Sequence, residues 1–275
     1  MSYLDIATGT PALLASIDNG VLVITLNRPE ARNAMTTPMV MALVQVLADA
    51  EVNPHVKSIV LTGAGKGFCA GGDVKAMAED GEGGGGTPSL DYMIHLQRLA
   101  QRGTAGKLFK IPKPTIAMIN GAAAGAGLAL ALACDLRVMS SAAVMITSFA
   151  KVGLPGDFGG TYFMSKLIGA AKARELYLLS NRVGADEALR LGLTNRVVEP
   201  DVLQAETMEL AVRLAAGPSV AFRYMKENLN RAMSGEIDDC LDLEATHHVH
   251  CLATADHREA AQAFVERREP VFVGS

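Results

Sequence analysis

The sequence predicts an α/β protein built from repeated units of buried strands followed by a helix, with a wholly helical C-terminal portion. Runs rich in Val, Ile, Leu and Thr recur through the first 200 residues, as at Val21–Leu26, 58–62 and Thr115–Ile119. Each is followed by a glycine-rich or small-residue loop and then by apolar residues at helical spacing. Beyond Pro200 no strand signal remains, and apolar and charged residues alternate at helical spacing through Val265. A chain of 275 residues that is 49% hydrophobic can bury a substantial core, as one large domain or one domain with an appendage. That apolar fraction, with a net charge of -4, excludes disorder as the main state.

In chain order, the β-rich run Val21–Leu26 closes at Asn27-Arg28-Pro29. Thr37 is then placed to cap a helix with Pro38 at its first position, and Met39, Val40, Leu43, Val46 and Leu47 form its apolar face. A buried strand over 58–62 leads to Gly63-Ala64-Gly65, and the loop Phe68-Cys69-Ala70-Gly71-Gly72-Asp73 leads to a short helix expected from Val74. The run Gly81-Glu82-Gly83-Gly84-Gly85-Gly86 reads as a flexible insertion, followed by a helix over 90–107. Strand Thr115–Ile119 runs through Asn120-Gly121 and small residues into a helix over 128–133. Short strands are expected at 136–138 and 144–146, helices at 160–168, 171–180 and 185–191, and a last strand at 196–198.

Composition removes several function classes. A net charge of -4 without a Lys/Arg stripe leaves no footprint for nucleic acid, and the lack of Trp with 5% aromatics makes stacking platforms scarce. Cys69, Cys134, Cys240 and Cys251 contain no C-x-x-C, so neither a disulfide framework nor a zinc knuckle is expected, in keeping with a reducing cytoplasm. The N-terminal MSYLDIATGT has no basic n-region or apolar h-region, so no secretory signal is expected there. Residues 114–134 carry no charge over a length that can span a bilayer. Asn120, the glycines and the flanking Lys113 and Asp135 fit a buried strand and small-residue helix better.

Two motifs are set aside. Gly63-x-Gly65-x-Gly67 follows a strand but lacks the phosphate-loop spacing and the third glycine of a dinucleotide fingerprint. His247-His248-Val249-His250-Cys251, with Glu244 nearby, reads as a helix surface or subunit contact rather than a metal site. No G-x-S-x-G supports a hydrolase nucleophile.

The chemistry concentrates in two loops that each join a buried strand to a helix: residues 68–73 and 120–127. Small residues allow close backbone approach, and a following helix offers unpaired N–H groups at its positive end. Two such N–H groups converging on one carbonyl oxygen make an oxyanion hole, where removing a donor costs about 3–4 kcal/mol.

These residues resemble the crotonase superfamily, the enoyl-CoA hydratase/isomerase family, over almost the whole chain. The likeness is carried by Asn27-Arg28-Pro29-Glu30-Ala31-Arg32-Asn33-Ala34, by Phe68 to Asp73, and by Pro114 to Asp135 with Asn120-Gly121 and Cys134-Asp135. It continues through Gly153 to Gly160, Ala173-Arg174-Glu175-Leu176 and Phe264-Val265-Glu266-Arg267-Arg268. The resemblance implies a spiral of ββα turns over residues 1–200 and a helical trimerisation region over 201–275, assembled as a trimer or as a hexamer of two trimers. It implies an acyl-CoA thioester substrate, with no metal or redox cofactor and no nucleic-acid or membrane partner. By matching position, the N–H groups of Ala70 and Ala126 would hold the thioester oxygen. Gly71, Gly72, Asp73 and Gly125 would line the site, and Arg267 would meet the CoA phosphate.

The chain departs from the hydratase pattern at both glutamates, which fall at Ala129 and Phe149 when Asn120-Gly121 and Cys134-Asp135 are aligned. Neither residue moves a proton, so the factor of about 10²–10⁴ attributed to each such group is lost. Asp157 remains, at the position where dienoyl-CoA isomerases of this family carry a catalytic aspartate. Apolar neighbours should raise its pKa, although an Asp before Gly-Gly also suits a helix cap. Asp73 and Asp135 read as structural, and Cys69 has no basic neighbour to activate it. The expectation is enoyl-CoA double-bond isomerisation through Asp157. Hydration by Asp157 and a bound water, and a non-catalytic acyl-CoA binder, are the alternatives. The insertion around Gly81 to Thr87 and the helix after it are expected to border the acyl pocket.

Overall fold

The structure is a computed structural model describing residues 4–73 and 89–275. The helix expected from Val74 and the insertion from Gly81 to Thr87 lie outside the described residues. Eleven strands make two sheets among those described. The first sheet takes β1 (Leu4–Ile6), β2 (Leu13–Asp18), β3 (Val21–Leu26), β4 (Ser58–Gly63), β6 (Thr115–Ile119), β8 (Leu136–Ser140) and β11 (Arg196–Val198), in that order. The second takes β10 (Val183–Gly184), β9 (Val144–Ile146), β7 (Ala122–Ala124) and β5 (Gly67–Cys69). β1, β2 and β3 pair antiparallel, whereas β3, β4, β6, β8 and β11 run parallel.

The chain therefore winds as a spiral. β4, β6 and β8 each lie in the first sheet, and the strand that follows each one crosses to the second. Helices complete the turns: α2 (Leu90–Gly103) and α3 (Ala105–Lys110) after β5, α4 (Ala126–Ala133) after β7, and α5 (Gly160–Leu179) after β9. The burial follows from this arrangement. β4 and β6 are buried at every position and carry continuous apolar runs at 59–61 and 116–119, as strands covered on both faces do. All eight residues of α4 are buried, which explains why 114–134 carries no charge. Among the described residues no helix is long and apolar enough to cross a membrane.

Several local expectations shift. Thr36, not Thr37, is the N-cap of α1 (Thr37–Val52), because its extended φ of -109° and ψ of 162° leave Thr37 and Pro38 inside the first turn. The helix expected over 90–107 divides at Thr104. The two helices expected over 160–180 form one element, broken at Gly169 with φ 77° and ψ 159°. The helix after the second loop begins at Ala126 rather than Leu128. β1, β2, β5, β7 and β10 carry no sequence expectation. The three-residue β5 and β7 are Gly, Ala, Phe and Cys residues held extended by pairing, not by propensity.

After α6 (Ala185–Leu191) and β11, α7 (Leu203–Ala215) lays Leu203, Leu210 and Ala211 on the first sheet, where Ser58 Oγ donates to Ala211 O at 2.9 Å. α8 (Ser219–Ala232), α9 (Ile237–Leu252) and α10 (Ala255–Glu266) follow. The buried Lys226 of α8 fixes them to the core, donating to Leu108 O (3.0 Å), Lys113 O (3.2 Å) and Asp135 Oδ2 (2.7 Å). Asp135 also accepts from the Thr115 N–H and hydroxyl at 2.8 and 2.9 Å, so it joins two strands and a helix.

Candidate active site

The first loop is held from below by side-chain amides. Buried Asn33 donates from Nδ2 to Ala64 O (2.9 Å), Gly67 O (2.8 Å) and Phe68 O (3.2 Å). Asn120 Nδ2 donates to Gly63 O and Gly65 O, both at 2.9 Å. The Gly63-x-Gly65-x-Gly67 segment thus turns carbonyls towards amide donors, the opposite polarity to a phosphate cradle. Arg28 Nη1 donates to Ala34 O at 2.7 Å and pairs with Asp73 Oδ2 at 2.9 Å, which makes Asp73 a strut of this loop.

The two loops meet at Gly71. Its φ is 91°, and a Cβ there would lie 3.0 Å from Ala124 O and 3.3 Å from Ala126 N. Only glycine allows that approach without displacement. Ala126 is the first residue of α4, so its N–H has no intrahelical acceptor, whereas the Gly125 N–H donates to Ile146 O at 3.1 Å.

Ala70 requires a correction. Its N–H donates to Arg32 O at 3.0 Å, so it is committed within the loop scaffold. The residue beside the cavity is Gly72, bridged in parallel to Met35. Met35 N donates to Gly71 O at 2.7 Å and Asp73 N to Met35 O at 3.3 Å, so the Gly72 N–H points to the opposite side. Among the described residues that N–H has no acceptor. The pair available to a ligand oxygen is Gly72 and Ala126.

Both line a cavity of about 480 Å³ between α1 and α2. Its walls include Met35, Val40 and Met41 on one side and Met93, Leu96 and Leu99 on the other. Asp157 is the one ionisable side chain on that lining, among the described residues. It is half-buried, its Oδ1 has no hydrogen-bond partner, and burial pushes its pKa up to about 6. It does not act as a helix cap: Gly159 is the N-cap of α5 and no side chain caps that end. Phe158 beside it has φ 48°, and its N–H donates to Gln101 Oε1 at 3.0 Å, tying this loop to α2. Asn33, Gln101 and Lys226 carry no expectation from the sequence, and Gly72 only that of lining the site; their roles arise from contacts between distant segments.

Ala129 and Phe149 are buried and bring no carboxylate. Cys69 donates its thiol to Asn33 O at 3.1 Å, and burial pushes its pKa up to about 12, so it is an inert core thiol. Arg267 is exposed as the C-cap of α10 and does not line the cavity of its own chain. His247 is buried against the Tyr224 ring at 4.1 Å, with Nδ1 2.6 Å from Asn228 Oδ1. No cluster of three metal-ligating side chains occurs among the described residues.

Comparison with known proteins follows the same outline. The profile described as enoyl-CoA hydratase/isomerase matches residues 16–275. The chain is 35% identical to the 1,2-epoxyphenylacetyl-CoA isomerase of Escherichia coli, over 95% of this chain and 98% of that one. It is also 35% identical to the short-chain-enoyl-CoA hydratase of Clostridium acetobutylicum, over 90% and 92%. The crystal structure of an enoyl-CoA hydratase from a Polaromonas species superposes with a TM-score of 0.88 at 32% identity, covering 95% of this chain and 99% of that one.

Proposed function

The chain belongs to the enoyl-CoA hydratase/isomerase family, and we propose that within it the protein moves the double bond of an enoyl-CoA thioester, with Asp157 as the single proton carrier. The observation that carries this reading is the solitary carboxylate: among the described residues Asp157 is the one ionisable side chain lining the cavity beside Gly72 and Ala126. Ala129 and Phe149, which the family resemblance aligns with the glutamates of a hydratase, supply no second one.

The thioester oxygen accepts from the N–H groups of Gly72 and Ala126. As charge grows on that oxygen, each donor is worth about 3–4 kcal/mol. Ionised Asp157 takes a proton from the carbon between the thioester and the double bond, and the electron pair delocalises into a dienolate held by the two N–H groups. The same carboxyl returns the proton at the far carbon, so nothing is gained or lost overall and no metal or redox cofactor enters. Hydration instead needs a water activator and a proton donor together. The apolar walls of α1 and α2 suit an acyl chain. The isomerase relative supports this reading; the hydratase relative supports the alternative, in which Asp157 activates a bound water.

Assembly as a trimer or a dimer of trimers is part of the proposal. It is supported by large apolar side chains left exposed on the last helices, such as Phe264 at 85% and Val265 at 80%. Arg267, exposed next to them, is then placed to meet the CoA phosphates of a neighbouring subunit. The test of the proton carrier is Asp157→Asn: turnover of 3-enoyl-CoA should fall by about 10²–10⁴-fold while CoA binding is retained. Turnover unchanged across 2-enoyl and 3-enoyl substrates overturns the assignment.

A further inference from the structure

Tyr177 lies in the second half of α5, seventeen positions after Gly160. In an unbroken helix the two would be about 26 Å apart. The break at Gly169 folds the second half back, so that a Cβ at Gly160 would lie 2.4 Å from the Tyr177 hydroxyl and 3.2 Å from Ala129 Cβ. A Cβ at Gly156 would lie 3.0 Å from Tyr177 Cε1 and 3.7 Å from its hydroxyl. The phenol is therefore seated on the loop that carries Asp157, between glycines on either side of it. The Phe149 ring stacks on the Tyr177 ring at 5.8 Å and 12°. Tyr177 thus lies across Gly160 from Ala129 and stacks on Phe149, the two positions that the family resemblance aligns with the hydratase glutamates.

We propose that Tyr177 is the positioning residue for Asp157, its hydroxyl donating to the carboxylate and fixing the direction in which the proton is carried. The proposal rests on the reading of Asp157 as proton carrier. A group without a partner supports it: Asp157 Oδ1 is buried with no hydrogen bond, and the Asp157 charge acts on the Tyr177 phenol. Hydrogen bonds at such sites are often long in the empty enzyme and tighten when substrate displaces water. Among the described residues, the other polar side chains on the cavity lining are uncharged: Thr36 and Thr37 at the start of α1 and Gln97 from α2, while Gln101 of α2 accepts from the neighbouring Phe158 N–H. α4 presents only alanine there. Burial and the Asp157 charge both push the Tyr177 phenol above the usual tyrosine range, so it keeps its proton and stays a donor.

A hydrogen bond to the ionised carboxylate favours ionisation, so removing the hydroxyl raises the pKa of Asp157. Tyr177→Phe retains the ring stacked on Phe149 and deletes only the donor. With the carboxyl carbons of aspartate ¹³C-labelled, Asp157 is assigned by the signal missing in Asp157→Asn, then titrated by NMR in complex with a saturated acyl-CoA. The expected result is a titration about half to one pH unit higher in Tyr177→Phe than in the unaltered protein. The acid limb of kcat should move by the same amount, a loss of about three- to ten-fold below the limb and little change above it. Identical Asp157 titrations in the two proteins overturn the positioning role. Full turnover by Asp157→Asn overturns instead the proton-carrier reading, and the NMR titration still reports on Tyr177.

Discussion

Replacing Gly71 by alanine tests whether the two loops build one oxyanion hole. At φ 91° an alanine is strained, by about 1–2 kcal/mol. Its Cβ would sit 3.0 Å from Ala124 O and 3.3 Å from Ala126 N, closer than ordinary van der Waals contact, so the loops must part by a few tenths of an ångström. That movement separates the Gly72 and Ala126 donors. Complete loss of one donor costs about 3–4 kcal/mol, and partial misplacement about half of that, or a 10–30-fold fall in kcat/KM. The assay is steady-state isomerisation of 3-enoyl-CoA by Gly71→Ala, with thermal unfolding recorded in parallel. A drop of only a few degrees in Tm is expected, since each kcal/mol shifts a chain of this size by about 2–4 °C. A variant that melts normally and keeps kcat/KM within twofold refutes the convergence of the loops on one ligand oxygen.

Other consequences follow from the same geometry. The acid limb of activity should rise through a pH of about 6, because Asp157 must be ionised to take the proton, and pH–rate profiles of kcat/KM will show it. The pKa of Asp157 is raised by folding, so its ionisation opposes the fold: the destabilisation is absent below its usual range near 3.8 and complete above about 6. Asp157→Asn should therefore unfold later than the unaltered protein at pH 8 and show no such advantage at pH 4, by denaturant titration. Lys226→Met strands Asp135 and two carbonyls, and should cost about 2–4 kcal/mol in urea unfolding; partial exposure of Asp135 keeps the figure at the lower end. Ala129→Glu pushes a carboxylate into a site 1% exposed. It should destabilise by about 2 kcal/mol or more without creating hydratase activity, which product analysis would detect.

The legible parts of the sequence were those set locally. The runs Val21–Leu26 and Thr115–Ile119 become β3 and β6 with those bounds, because buried parallel strands announce themselves as apolar runs. Asp157 was legible as a carboxylate in an apolar, glycine-rich segment, and it does line the cavity. Ala126 was legible only through the family resemblance, since the spacing alone starts that helix at Leu128. The choice between Ala70 and Gly72 was not, since it turns on one bond to Arg32 O from another segment. Tyr177 was hidden for a similar reason: only the left-handed Gly169 returns it to Gly160, and spacing along a helix predicts the opposite. β5 and β7 exist through pairing with one another, which no three-residue stretch of Gly and Ala reveals.

In the proposed mechanism one carboxylate beside two backbone donors carries a proton between carbons and adds no water. The most direct measurement is mass spectrometry of products after the protein meets 2-enoyl-CoA and 3-enoyl-CoA in D₂O. The expected products have unchanged elemental composition and a shifted double bond, with deuterium at the far carbon wherever the Asp157 carboxyl exchanges with solvent before it returns its proton. Rapid gain of one water without double-bond migration would contradict that mechanism.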